Sequence, residues 1–182
     1  MSGRTIMPRG AALLALSFIW VTSVAAQEVA DPEASLAALG IELPSPYAPI
    51  ANYVRTVSAG DLVFLGGHGP CEITEADKGK VGRERTVEEG YHTARRTAIC
   101  MLASLKDEIG DLSRVKRLVR VLGMVNAVDD FTRHPEVING FSDLMVEVFG
   151  DRGRHARAAV GMASLPLDLT VEIEMIVEVS GE

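Results

Sequence analysis

The sequence predicts an α+β fold, a single domain in which a mixed β-sheet carries two helices on one face. Three observations lead to this prediction. The chain has two amphipathic segments with clear helix start and stop signals, five short segments of β-sheet character, and a central strand that is apolar on both faces. It has 182 residues, 47% hydrophobic and 24% charged, as expected for one compact domain.

The first 49 residues are predicted to precede this domain. Residues 1–26 contain two arginines, continue as an apolar run and end in Val-Ala-Ala, the pattern of a secretory signal peptide. An uncleaved anchor is the weaker alternative, because the run is short for a bilayer span and contains Ser and Thr. We therefore expect an exported protein, periplasmic or secreted, with no stable membrane span after cleavage. Residues 27–49 are predicted as an extended, proline-rich segment with a helical turn near residues 35–39.

The domain itself is predicted to span residues 50–182 and to begin with a β-hairpin. Residues 50–57 and 62–66 are the two strands, and residues 58–61 form the turn between them. The polar loop over residues 67–85 is long enough to form the rim of a site. It starts with a glycine-rich stretch that lacks the Lys and Ser/Thr of a phosphate-binding loop. The glycines are therefore expected to let the backbone pass close to another group.

The sequence indicates where both helices begin and end. Thr86 and Glu89 have the spacing of a capping box, and apolar residues recur every three or four positions as far as Ile109, where a glycine follows. The second helix is predicted from Pro135 to Phe149, with proline in its first turn and glycine after its last residue.

Between the helices, Val115 to Val128 is predicted as one long strand with a centre that is apolar on both faces. Such a strand needs a cover on each side. The two predicted helices cover one face of the sheet, and the sequence predicts no further pair for the other face. We therefore expect a second subunit to cover it, which makes the protein an oligomer.

The last two strands hold the candidate site. In residues 155–163, alternate side chains share a face, which places Arg157 beside small residues. In residues 171–179, apolar residues alternate with glutamates. We expect these strands to be neighbours, so that the guanidinium and a nearby carboxylate form a pocket for an anion. The alternative is that Arg157 is an exposed strand arginine or forms a surface ion pair with Glu172 or Glu174.

Charge and composition exclude several classes of function. The formal net charge is −7, and loss of residues 1–26 with their two arginines takes it to −9, so we expect no nucleic-acid partner. Cys71 and Cys100 are too few for a disulfide scaffold, and two separate thiols are favoured over a bond. The four histidines are scattered without metal-binding spacing, so neither a metal nor a cofactor is assigned.

The C-terminal part of the chain reads Ala156-Arg157-Ala158-Ala159-Val160, then Leu165-Pro166, then Val171-Glu172-Ile173-Glu174. This motif resembles the signature of the Rid family of reactive intermediate deaminases, also called the YjgF family. The resemblance extends from about Asn52 to Val179. The segments from Leu39 to Pro44 and from Val137 to Asp143 are similar to a branch labelled endoribonuclease L-PSP or chorismate mutase-like.

This resemblance implies a chorismate-mutase-like fold of order β-β-α-β-α-β-β, assembled as a homotrimer with sites in the clefts between subunits. It implies that Arg157 binds the carboxylate of a 2-imino acid and that Glu172 holds or activates water. Tyr53, Gly67 and Asn139 fall at positions that line the cleft. Ala159, also assigned to the substrate-binding set, stands where the deaminases often have Cys. His68 and His155 stand where Gln and Pro are usual.

The expected function is therefore hydrolytic deamination of reactive 2-imino or enamine acids, with release of ammonia and a 2-keto acid. A non-catalytic trimeric binder of small carboxylates is the alternative. The acidic charge makes an endoribonuclease the least favoured of the three.

Overall fold

A computed structural model of the protein describes Met1 and residues 31–181, apart from Tyr47 and Ile50. The predicted signal peptide lies outside the described residues except for Met1. In chain order the helices and strands are α1 (Pro32–Ala38), β1 (Thr56–Ala59), β2 (Leu62–His68), α2 (Val87–Ile109), β3 (Val115–Asn126), α3 (His134–Phe149), β4 (Ala156–Met162) and β5 (Val171–Val179). None of the described helices is both long and apolar enough to cross a bilayer.

The five strands form one mixed sheet in the order β1-β2-β5-β3-β4. Only β3 and β4 run parallel, because α3 carries the chain across the sheet between them. The remaining pairs are antiparallel. The prediction that the last two strands are neighbours is wrong. β5 pairs with β2 on one side and β3 on the other, so β3 separates it from β4.

Both long helices begin and end where local chemistry requires. At the start of α2, the Thr86 hydroxyl accepts from the Glu89 amide at 3.1 Å, and the Glu89 carboxylate accepts from the Thr86 amide at 2.7 Å. Gly110 and Gly150 follow the two helices with φ of 81° and 59°, a conformation that glycine adopts without steric cost. The predicted boundaries of both helices are correct to within one residue.

The hydrophobic core lies between the sheet and helices α2 and α3. On β5, Val171, Ile173 and Met175 point into it and are almost wholly buried. The residues between them point to the opposite face, where Phe64 on β2 and Val160 on β4 are each 40% exposed. The expected α+β arrangement, with helices on one face of the sheet, is therefore confirmed. Within the described part of the chain, nothing covers the other face.

The hairpin and the N-terminal segment differ in detail from the prediction. β1 begins at Thr56 rather than near residue 50, because the Tyr53 amide bonds back to the Ala51 carbonyl at 3.0 Å and turns the chain. The predicted turn near residues 35–39 is the helix α1, capped by the Asp31 carboxylate. Its Leu36 side chain is 3% exposed and belongs to the core.

The two cysteines form a disulfide, contrary to the expectation of separate thiols. Cys71 follows β2 and Cys100 lies in α2, with Cα atoms 5.1 Å apart. The same two elements are joined nearby by a hydrogen bond of 3.0 Å between His68 Nε2 and Ser104 Oγ. Packing of α2 across the end of β2 creates this proximity, which sequence spacing does not reveal.

Candidate functional site

Arg157 lies on the helix-facing side of the edge strand β4. Its strand partner Val121 is fully buried, and side chains in register across a sheet share a face. The guanidinium therefore reaches α3, where Nη1 donates to Asn139 Oδ1 at 3.0 Å and to Ser142 Oγ at 2.9 Å. Nη2 donates to the Pro135 carbonyl at 3.3 Å. The structure thus brings Arg157 and Asn139 together.

The guanidinium of Arg157 is held by neutral acceptors. It takes part in none of the ion pairs between described residues, so the alternative of a pair with Glu172 or Glu174 is excluded there. Burial lowers the pKa of Arg157, and the nearby Asp143 carboxylate partly offsets this, yet a guanidinium keeps its charge at physiological pH. Three of its five N–H groups donate to other described residues, and the remaining two have no partner among them.

Ala159 is placed two residues beyond Arg157 on the same side of β4. It is half-buried and packs against the core, next to Gly123 of β3. Its small side chain leaves the neighbourhood of the guanidinium without bulk, as expected from the sequence.

Glu172, Gly67 and Tyr53 come together at a second place, a cleft of about 510 Å³ at the ends of β2 and β5. The nine remaining lining residues are all apolar or glycine: Ala48, Ala51, Gly69, Pro70, Cys71, Ile73, Pro166, Leu167 and Leu169. Leu167 has a φ of 56° and a side chain that is 58% exposed. A bulky residue with positive φ is uncommon, and such conformations concentrate at functional sites.

Within this cleft the Glu172 carboxyl lies directly against the backbone of Gly67. A Cβ atom at Gly67 would stand 1.9 Å from Glu172 Oε1, so any other residue there would displace the Glu172 carboxyl group. This confirms the expectation that the glycine-rich stretch lets the backbone pass close to another group. Burial, with a smaller contribution from the Glu174 carboxylate, raises the pKa of Glu172. A carboxylate with a raised pKa is a stronger base than an ordinary carboxylate and can accept and return a proton.

Arg157 and Glu172 do not meet within one subunit. Glu172 of β5 is paired with Met124 of β3, which is paired in turn with Val160 of β4. Glu172 therefore lies two strand spacings across the sheet and three residues along it from Arg157. Those spacings correspond to about 14 Å between the two Cα atoms. The side chains also point to opposite faces of the sheet. A small ligand cannot touch both groups in the same protomer.

Ser142 and the Pro135 carbonyl hold Arg157 together with Asn139, and neither was predicted from the sequence. Ser142 lies three residues after Asn139 on a predicted helix, so helical spacing places both on one face and was an available signal. His68 does not line the cleft. Its ring turns into the core and bonds to Ser104 Oγ and to the Gly66 carbonyl.

Metal binding finds no support in the described part of the chain, where no cluster of three or more His, Cys, Asp or Glu side chains is suited to hold an ion.

Comparisons with known proteins agree on one family. The model of the family described as "YjgF/chorismate_mutase-like, putative endoribonuclease" matches residues 33–179. Protein TCP17 of Trypanosoma cruzi is 41% identical over 149 residues, which cover 81% of this chain and 93% of that protein.

Solved structures share the fold as well. Atu1372 from Agrobacterium tumefaciens, a protein of unknown function, is 42% identical with a TM-score of 0.76, covering 82% of this chain and 92% of that one. A structure from Shewanella oneidensis, described as a "putative endoribonuclease", is 33% identical with a TM-score of 0.78, covering 82% of this chain and 99% of that one. TdcF of E. coli, crystallised with bound serine, is 22% identical with a TM-score of 0.53 over 76% and 96%, and shares the fold alone.

The fold defines an α+β protein of the chorismate-mutase-like class, and the surroundings of Arg157 and of Glu172 are its candidate functional site. The chain belongs to the YjgF/chorismate mutase-like family, which is the Rid family indicated by its C-terminal motif.

Proposed function

We propose that the protein is an exported hydrolase that deaminates reactive 2-imino or enamine acids, with Arg157 binding the substrate carboxylate. The observation that carries this proposal is a guanidinium fixed by neutral acceptors, with two N–H groups left over. A planar fork of two N–H groups matches the two oxygens of a carboxylate. Like the proposed 2-imino acid, the serine bound by TdcF is a small molecule with a carboxylate.

The complete site is proposed to lie between subunits of a homotrimer. Arg157 and Glu172 face opposite sides of one sheet, so a second copy of the chain must supply one of them if both act on the same ligand. The uncovered sheet face supports assembly, because Phe64, Val160 and Met162 are large apolar residues left partly exposed there. Burial of this face in a cyclic oligomer removes that apolar surface from water.

The reaction needs one water molecule and no other reactant. The water oxygen bonds to the imine carbon, the C=N π electrons move to nitrogen, and the nitrogen takes a proton. In the resulting carbinolamine the C–N bond breaks as the nitrogen takes a second proton and the hydroxyl loses its own. The products are ammonia and a 2-keto acid. Glu172 is proposed to remove the proton of the attacking water and return it to the leaving nitrogen.

The test measures ammonia release from 2-imino acids generated in place by an amino-acid oxidase. Wild-type protein is expected to accelerate release above the spontaneous rate, and Arg157→Ala to abolish the acceleration. Arg157→Lys keeps the charge but loses the planar fork, so it is expected to retain only a small part of the activity. Failure of the wild type to accelerate release, or full activity of Arg157→Ala, contradicts the proposal.

A non-catalytic binder of small carboxylates is the second candidate, favoured by the separation of Arg157 from Glu172 within one protomer. Calorimetry with a 2-keto acid distinguishes the two. Binding that depends on Arg157 without any turnover supports the binder. Turnover that Glu172→Gln removes while binding persists supports the enzyme. Endoribonuclease activity is not proposed, because a formal charge of −7 disfavours RNA.

Export is supported by the disulfide between Cys71 and Cys100, since such bonds persist in oxidising compartments. Cell fractionation of the full chain, with sequencing of the mature N-terminus, tests it. Cleavage after Ala26 and recovery outside the cytoplasm are expected. A cytoplasmic protein that retains its first residues contradicts it.

A further inference from the structure

A chain of hydrogen bonds leads from the backbone before β4 to the guanidinium of Arg157. His155 Nδ1 lies 2.7 Å from the Gly153 carbonyl oxygen. His155 Nε2 lies 3.1 Å from Ser142 Oγ, which in turn lies 2.9 Å from Arg157 Nη1. The chain joins β4 to α3 and ends on the proposed carboxylate-binding group.

The chemistry of the partners fixes the direction of every bond. A carbonyl oxygen only accepts, so the proton of the neutral imidazole must sit on Nδ1. Burial and the nearby positive charge of Arg157 lower the pKa of His155, and the hydrogen bond to the Gly153 carbonyl opposes this only in part. Because the pKa is lowered, the ring is neutral at pH 7. Nε2 is then a bare acceptor, and the Ser142 hydroxyl donates its single proton to it.

This direction determines what Ser142 offers to Arg157. With its proton committed to Nε2, the hydroxyl presents only lone pairs to the guanidinium, as a donor such as Nη1–H requires. Without His155 the hydroxyl is free to rotate and to bond to a carbonyl of its own helix, as serine commonly does. The imidazole itself is held by edge contact with the buried Phe141 ring, with centroids 5.9 Å apart.

We propose that His155 and Ser142 are positioning residues, which lock one end of the Arg157 guanidinium so that its remaining N–H groups face a ligand carboxylate. Ser142 and Asn139 together use both protons of Nη1. The guanidinium then cannot rotate without losing both bonds, and Nε–H and the second Nη2–H remain available. The inference rests on the proposed role of Arg157 as the carboxylate-binding group.

Calorimetric binding of 2-oxobutanoate to the full mature protein tests the inference. Ser142→Ala and His155→Phe are each expected to weaken binding about three- to tenfold, the effect of one net hydrogen bond. The double variant is expected to bind no more weakly than the weaker single variant, because both act through one chain of bonds. His155→Gln places an acceptor oxygen near the position of Nε2 and is expected to restore affinity, as is Ser142→Thr.

Thr97→Val is the matched control, because it also removes one hydrogen bond of a buried hydroxyl group, in this case to the Thr93 carbonyl at 2.9 Å. Thr97 lies on α2, far along the chain from Arg157. It is expected to lower the unfolding temperature without changing affinity. If Arg157→Ala binds as well as wild type, the proposed function and the inference both fail. If Arg157→Ala abolishes binding while Ser142→Ala and His155→Phe bind normally, the inference alone is overturned.

Discussion

Replacement of Gly67 by alanine is expected to move the proposed proton-transfer group without touching Arg157. The new Cβ would stand 1.9 Å from Glu172 Oε1 and 2.8 Å from its Cδ. Ordinary contact begins near 3.4 Å, so the carboxyl oxygen must retreat by about 1.5 Å, the difference between the two distances. Because a misplacement of about 1 Å can cost a hundredfold in rate, we expect kcat for imine hydrolysis to fall at least about 100-fold.

Gly66→Ala is the matched control for this experiment. Gly66 is adjacent, and its added Cβ would meet only the Arg55 carbonyl oxygen at 3.8 Å. Neither glycine has a positive φ, so the two substitutions differ in space rather than in backbone strain. Ammonia release should therefore remain near the wild-type rate in Gly66→Ala and be lost in Gly67→Ala, while both variants bind 2-oxobutanoate. Full activity of Gly67→Ala, or equal loss in both, refutes the placement of Glu172 in the reaction.

Three further outcomes are expected. Glu172→Gln should lower kcat by about 10²- to 10⁴-fold with little change in keto-acid affinity, and the wild-type rate should fall as pH drops through a Glu172 pKa above the usual 4.5, seen in a pH–rate profile. Burial lowers the pKa of His68 below 6.5, so as pH falls the unfolded state takes up this proton before the folded state does. The free energy of unfolding should therefore decrease as pH falls below about 6.5. Urea titrations should show that the free energy of unfolding of His68→Gln depends less steeply on pH. Replacing Cys71 and Cys100 by alanine should cost about 3.6 kcal/mol from loop entropy over their separation of 29 residues, measured by denaturation, and an unchanged midpoint contradicts the bond.

Local signals made the helices predictable and nonlocal pairing made the strand order unpredictable. The bounds of α2 follow from a capping box at its start and a glycine at its end, both readable within four residues. The position of β5 between β2 and β3 depends on pairs of residues at least 46 positions apart along the chain, the separation of Val125 from Val171. The contact between Cys71 and Cys100 arises only when α2 packs across β2, so spacing alone favoured separate thiols.

The sequence indicates individual candidate residues but not how they are arranged relative to one another. Alternation on β5 separates buried residues from Glu172 because one face is uniformly apolar. β4 has alanine on both faces around Arg157, at Ala159 on the arginine's own face and at Ala156 and Ala158 on the other, so alternation does not tell which face meets the helices. The structure turns Arg157 toward α3 and Glu172 away from it, and this relation between the two strands is what the sequence could not supply.

That relation makes a quantitative prediction about assembly. If each site takes Arg157 from one subunit and Glu172 from its neighbour, neither Arg157→Ala nor Glu172→Gln alone can form an active site. In a ring assembled from equal amounts of both variants, a site is complete only when an intact arginine meets an intact glutamate. Random assembly gives this in about one quarter of sites, one half times one half, whatever the number of subunits in a closed ring.

Co-refolding the two variants should therefore restore about a quarter of the wild-type rate of ammonia release. The control is a mixture of the two folded variants that is never unfolded. Its rings contain one variant each, so it should restore no activity. The formation of mixed rings is checked by the mass of assemblies built from differently tagged copies. If mixed rings form but remain inactive, either both groups act from one subunit or one of them takes no part in the reaction. Since the sheet of a single protomer lies between Arg157 and Glu172, recovery of activity is the outcome that the geometry requires of an enzyme using both.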